Sequence, residues 1–98
     1  MYYTYVLKSE VADTLYKGYT HNLEKRVGQH NNGLVNFTSK YKPWRLVYFE
    51  VFATKTEAIL RERFFKSGKG REWLKNKLAN INLALVSDYG SSASGGQV

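Results

Sequence analysis

The sequence contains no cysteine. That excludes disulfides, thiolate zinc sites and cysteine nucleophiles together, and it is compatible with a reducing, cytoplasmic location. Long apolar runs are also missing: nothing approaches the roughly 18 residues of a membrane span, so no membrane partner is expected. The opening "MYYTYVLKSE" lacks a charged segment followed by an apolar run, and a signal peptide is not expected. Apolar residues become scarce again at the other end. "SDYGSSASGGQV", residues 87–98, reads as a disordered Gly/Ser-rich tail behind one domain spanning residues 1–86. Acidic residues are few, eight against fifteen Lys and Arg, for a formal charge of +7. The shortage is local, because residues 36–77 hold eleven basic and four acidic residues. A basic half of a small domain reads as a surface for a polyanion, with plain solubility as the bland alternative. The candidate contacts are Lys17, Lys40, Lys42, Arg63, Lys66, Lys69 and Arg71.

What the chain has in quantity is aromatic residues, 15% of the total, eight of them tyrosine. Tyrosine serves both cores and binding surfaces. "YYTYVLK", Tyr2 to Lys8, and "LYKGY", Leu15 to Tyr19, read as two strands of a hairpin. Gly18 near the end of the second suggests a bulge or a close approach of backbone to another group. Asn22 is a plausible N-cap for a helix over Leu23 to His30, which "NNG" stops at Gly33. "LVNFTSKYKP" reads as a loop ended by the single proline, Pro43. "WRLVYFEVF", Trp44 to Phe52, is the clearest strand. Thr54 and Glu57 form a capping box for a second helix reaching about Lys66. "SGKG" breaks it at Ser67 to Gly70, and "REWLKNKLANI" starts a third. The class is therefore α+β.

Several polar residues stand where packing does not obviously require them. Arg26 and His30 are four apart and share a helix face, with His30 on the core side beside Leu23 and Val27. A half-buried histidine bonded to backbone would explain it. Glu62 shares an apolar stripe with Ala58 and Phe65, and a buried carboxylate needs a metal, a cation or hydrogen bonds. Lys66, four residues on, could supply an ordinary ion pair. Tyr5 and Tyr16 lie on adjacent strands, where most tyrosines are packing residues; His21, before the helix, reads as solvated. "KSGKGR", Lys66 to Arg71, is no Walker A loop. It reads equally as a phosphate site at a helix N-terminus or as a solvated connection.

Taken in order, "YTY" at Tyr3 to Tyr5, "YKG" at Tyr16 to Gly18, "NLEKRVGQH", "KPWRLVYFE" and the segment carrying Glu62 resemble the GIY-YIG nuclease domain, in the form of small stand-alone bacterial proteins. The resemblance covers residues 2–78. The first glycine and the isoleucines of the family name are absent, Lys17 standing for one of the latter. Asn76, Asn80 and Asn82 compete for a late asparagine seen in some members. The resemblance implies a three-stranded antiparallel sheet flanked by helices and a metal-dependent endonuclease acting on nucleic acid, with DNA the expected polymer. It implies one divalent ion, Mg²⁺ or Mn²⁺, held by Glu62. It gives Arg26 the task of neutralising transition-state charge, and it leaves Tyr5, Tyr16 or His30 to handle the proton of the attacking water. The rival expectation is a nucleic-acid-binding module of the same fold that does not cut. A carboxylate facing the ligand favours the nuclease, since a pure polyanion binder gains nothing from Glu62.

Overall fold

The computed structural model describes residues 1–87; the 87–98 tail expected to be disordered lies, from residue 88 on, outside the described residues. The elements in chain order are β1 (Tyr2–Ser9), β2 (Leu15–Thr20), α1 (Leu23–Asn31), α2 (Asn36–Ser39), β3 (Trp44–Phe52), α3 (Lys55–Lys66) and α4 (Gly68–Ser87). The strands form one antiparallel sheet in the order β2-β1-β3.

Because β1 is central, both of its faces must be covered, and its sequence is apolar or aromatic on both. Tyr5 and Leu7 join Trp44 on one face, where Leu23 and Val27 of α1 pack. Val6 joins Phe65 and Leu74 on the other, beneath α3 and α4. Thr4, on that second face, is buried and donates to the Ala58 carbonyl at 2.8 Å, tying α3 to the sheet. The expected α+β class and three-stranded antiparallel sheet are present, in three layers: α1 and α2, the sheet, then α3 and α4. A register shift between Val6 and Leu7 marks a bulge in the β1–β3 pairing.

Local signals act as their chemistry dictates. Asn22 accepts from Lys25 N at the start of α1, and Gly33 ends that helix at φ 75°, a left-handed conformation that favours glycine. The Thr54–Glu57 capping box forms in both directions. Gly18 makes a close approach rather than a bulge. It pairs with Tyr5 across the β1–β2 ladder, and a Cβ there would lie 2.5 Å from the Tyr5 hydroxyl.

Two boundaries differ from expectation. The stretch read as a loop contains α2, because Ser39 Oγ bonds back to the Asn36 carbonyl and Thr38 Oγ1 to Val35. Trp44 Nε1 then donates to the Thr38 carbonyl at 2.8 Å, pinning the turn against β3. The expected four-residue break at Ser67 to Gly70 shrinks to Ser67 alone. Ser67 Oγ accepts from Gly70 N and its carbonyl from Arg71 N, so α4 begins at Gly68 rather than Arg71. Gly70 is required there, since a Cβ would collide with the Phe64 carbonyl oxygen.

Candidate active site

A cleft of about 510 Å³ opens where the β2 edge meets α1 and α3. Four of the five candidate catalytic residues line it: Tyr5, Tyr16, Arg26 and Glu62. Gly18 completes the floor by leaving room for the Tyr5 ring. These residues come from four elements, so only the folded chain brings them together.

The fifth, His30, lies behind Tyr5. It is fully buried, not half-buried, and its partners are side chains, not backbone. Its Nε2 is 2.8 Å from the Tyr5 hydroxyl and its Nδ1 is 2.8 Å from Thr38 Oγ1. Burial drives the difference: with no water, both ring nitrogens need protein partners. Thr38 Oγ1 lies 3.3 Å from the Val35 carbonyl, which can only accept. One arrangement gives every hydrogen a partner in this chain. Thr38 donates to Val35, His30 Nδ1–H donates to Thr38, and the Tyr5 hydroxyl donates to His30 Nε2.

Electrostatics agree with that arrangement. Burial, and then the charge of Arg26, lower the His30 pKa to about 4, so the ring is neutral near pH 7. Burial pushes the Tyr5 phenol up to about 12, with the Arg26 guanidinium pulling the other way. Tyr5 therefore holds its proton and points it at His30, which leaves a phenolic lone pair toward the cleft. Tyr16 is held through its ring, with centroids 4.8 Å from His30 and 6.4 Å from Tyr5. Arg26 is aimed by Gln29, whose Oε1 accepts from Nη1 at 2.9 Å.

Glu62 keeps both of the roles open to it. Its side chain is 15% exposed, lines the cleft, and pairs with Lys66 Nζ at 2.8 Å. Among the described residues no group of three or more His, Asp or Glu gathers to cage a metal. A lone carboxylate with neighbouring hydroxyls does not suit a structural zinc ion, which wants four protein ligands. It does suit Mg²⁺, which keeps several waters and takes one or two carboxylates plus substrate phosphate oxygens. Glu62 would hold such an ion.

The cations divide into groups. Lys17 and Arg71 line a second groove against α4, outside the cleft, and Arg71 Nη2 donates to the carbonyl of Lys66, whose side chain pairs with Glu62; burial and then the charges of Arg71 and Lys66 lower the Lys17 pKa. Arg63 and Lys69 are exposed on α3 and on the first turn of α4. Lys40 and Lys42 are exposed beyond α2, in the opposite layer, and do not join the cluster. His21 is exposed, as expected, although it borders the cleft. Sequence reasoning missed Lys25 and Lys55, which also line the cleft, and Thr38 and Gln29, which position His30 and Arg26. Lys55 stands two helical turns before Glu62 and Gln29 stands three residues after Arg26, spacings that place each pair on one face. Nothing in the local sequence pointed to Thr38.

Comparison with known proteins decides the family. The GIY-YIG catalytic domain matches residues 1–77. The chain belongs to the GIY-YIG domain family. Its relatives include UPF0213 proteins of Clostridium perfringens, 48% identical over 67 residues (67% of this chain, 71% of the relative), and of Streptococcus pyogenes serotype M5, 46% identical over 81 residues (81% and 83%). A UPF0213 protein of Staphylococcus saprophyticus is 40% identical over 75 residues, covering 76% of this chain and 90% of its own. A solution NMR structure of a UPF0213 protein from Bacillus halodurans is 31% identical, with a TM-score of 0.47 over 78% of this chain and 84% of that one. This GIY-YIG domain is similar, over most of its length, to bacterial UPF0213 proteins. It places Tyr5 and Tyr16 of the two name motifs, Arg26 of the following helix and Glu62 of a later helix on one cleft. No helix among the described residues is long and apolar enough to cross a membrane.

Proposed function

We propose that this GIY-YIG domain hydrolyses phosphodiester bonds in nucleic acid, DNA being the expected polymer, with a divalent ion at Glu62. The observation that carries the reading is the convergence of two tyrosines, one arginine and one carboxylate on a single cleft of a strongly basic chain. The ion, Mg²⁺ or Mn²⁺, would supply Lewis-acid polarisation of the phosphate and stabilisation of the leaving oxygen. Arg26, oriented by Gln29, donates to the phosphoryl oxygens as charge builds on them, a task suited to its rigid fork of donors. Tyr5 offers a lone pair that orients the attacking water while it keeps its own proton, directed at His30 Nε2. Tyr16, whose ring is clamped against His30 and Trp44 at the cleft, takes the proton as its phenolate, having first released its own proton to solvent, a form that the ion and the Arg26 charge would favour. The Lys17, Lys66 and Arg71 cluster anchors the flanking backbone.

One observation favours a second reading, a binding module that does not cut: Glu62 is already paired with Lys66. Single-turnover cleavage of single-stranded, duplex and branched DNA and RNA, with Mg²⁺ or Mn²⁺, separates the two. The nuclease reading expects metal-dependent cleavage that Glu62→Gln abolishes without lowering the melting temperature by more than a few degrees. Wild-type protein that binds these substrates yet cuts none of them would establish the binding module instead.

A further inference from the structure

Lys66 sits between two calls on its charge. Toward the cleft, its Nζ lies 2.8 Å from Glu62 Oε2. On its other side stands Arg71, which donates through Nη2 to the Lys66 carbonyl at 3.2 Å and lines one groove together with Lys17. The two ends differ in constraint. The Glu62 side chain is 15% exposed and the Lys66 side chain 55% exposed, so the carboxylate is fixed while the ammonium is free to swing. A lysine stem has four rotatable bonds, and its ammonium is a point charge with no geometric demand on its partner. A phosphate bound by Lys17 and Arg71 would offer that ammonium a second anion without moving the backbone of α3.

We propose that Lys66 is an exchangeable counter-ion: it occupies Glu62 in the free protein and moves to a substrate phosphate, so that nucleic acid and divalent metal bind this cleft cooperatively. The inference rests on the nuclease reading of Glu62 and adds a regulation of that site. An ammonium and a divalent cation compete for one carboxylate oxygen. Metal affinity of the free protein is thereby reduced, and the reduction is relieved when phosphate takes Lys66. By linkage, the metal must then raise affinity for nucleic acid by the same factor. The lowered proton affinity of Lys17, caused by burial and by its two cationic neighbours, fits a cluster built to receive an anion.

The test is Mn²⁺ binding to the full chain by calorimetry, alone and with a phosphorothioate DNA oligonucleotide, whose linkages keep their charge and resist hydrolysis. Lys66→Met should bind Mn²⁺ about three- to tenfold more tightly than wild type when no oligonucleotide is present. The oligonucleotide should tighten Mn²⁺ binding to wild type by a clearly larger factor than to Lys66→Met, where only the phosphate oxygens' own contribution to the ion is left. Lys77→Met, which removes an exposed cation of α4 outside the candidate contacts, should behave as wild type in both arms. Equal Mn²⁺ affinity in wild type and Lys66→Met overturns the proposal, as does equal tightening in the Lys66 and Lys77 variants, which would reduce the effect to net charge. Glu62→Gln separates the two levels. If it binds Mn²⁺ as well as wild type does, the metal assignment itself fails; if it loses Mn²⁺ while Lys66→Met matches wild type, only the exchange fails.

Discussion

Gly18→Ala tests the geometry of the site through a single methyl group. The new Cβ would stand 2.5 Å from Tyr5 Oη, 2.7 Å from Cζ and 3.1 Å from Cε1. Tyr5 is 1% exposed, so its ring cannot simply rotate into solvent. It must shift away from its 2.8 Å bond to His30, or β2 must move off β1. Overpacking of this kind costs about 1–3 kcal/mol, and a buried His30 nitrogen left without its partner adds roughly 1–3 kcal/mol. Replacing glycine in a strand offsets about 0.5–1 kcal/mol through lost chain entropy. The net expectation is a destabilisation of about 1–5 kcal/mol. At roughly 4–8 °C per kcal/mol for a domain of this size, the melting temperature falls by at least about 4 °C. Tyr5→Phe removes the atom nearest the new Cβ but leaves Cζ in place, so it should relieve only part of the clash. The assay is thermal and urea unfolding of both single variants and the double variant. Their coupling should exceed the roughly 0.5 kcal/mol that independent sites show. A Gly18→Ala protein as stable as wild type, or strict additivity with Tyr5→Phe, would refute the packing of Tyr5 on Gly18.

Stability should fall on acidification through His30. Its pKa is about 4 folded against roughly 6.5 unfolded, so the unfolded state takes up the proton first. Stability is therefore full above about pH 6.5 and lost between there and pH 4, by roughly 2 kcal/mol from pH 7.5 to 5; His30→Gln should flatten that slope in urea melts at the two pH values. Tyr16→Phe should leave the melting temperature nearly unchanged and slow single-turnover cleavage by roughly 10²–10⁴-fold, whereas Tyr5→Phe should lower stability measurably because His30 loses its partner. Equal rates in wild type and Tyr16→Phe would remove Tyr16 as the proton acceptor. Arg26→Ala should slow the chemical step by at least roughly 10²-fold with a much smaller change in substrate affinity, and an unchanged single-turnover rate would reduce Arg26 to a binding contact.

What the sequence made legible was whatever depends on one residue and its near neighbours. The Thr54–Glu57 box is a local hydrogen-bond exchange, and it forms as read. Trp44 to Phe52 is a β-branched and aromatic run, and those bounds hold. Gly18 announced a close approach, but only the β1–β2 register names Tyr5 as the group approached. The same limit governs His30. Helical spacing put it on the core side, yet the depth of burial depends on α2, whose hydroxyl-rich sequence resembles a loop because the hydroxyls themselves satisfy the turn. The basic half likewise conceals one cation that is spent internally. Arg61 is bonded to Glu50 at 2.8 Å and stacked over Trp73 at 4.6 Å, so it braces α3 against β3 and α4 rather than facing a ligand. Tyr48 shares that carboxylate through a 2.6 Å bond, and burial followed by Glu50 raises its pKa. No spacing rule links residues 48, 50, 61 and 73.

The proton is where magnitudes decide between residues that sequence left equal. A relay from water through Tyr5 to His30 must end with a proton on His30, because Thr38 and the Val35 carbonyl beyond it offer no exit to solvent. With the His30 pKa at about 4, charging it at pH 7 costs about 4 kcal/mol. Ionising Tyr5 outright, from a pKa of about 12, costs about 7 kcal/mol at the same pH. General-base help is worth roughly 10²–10⁴-fold, or about 3–5 kcal/mol, so the His30 route consumes about what it could return. Bound substrate adds negative charge that eases charging of His30, but Arg26, the second cause of the low His30 pKa, remains beside it. The Tyr5–His30–Thr38 chain is therefore better suited to holding a water than to deprotonating it. Its burial, which makes it a poor base, is also what fixes the phenolic oxygen in place. Tyr16 is not tied into that chain: its ring packs on His30 and Trp44, and the residue lines the cleft. On the nuclease reading proposed above, the two name-motif tyrosines divide the work, Tyr5 rigid and protonated, Tyr16 receiving the water's proton as a phenolate that the ion and Arg26 would favour.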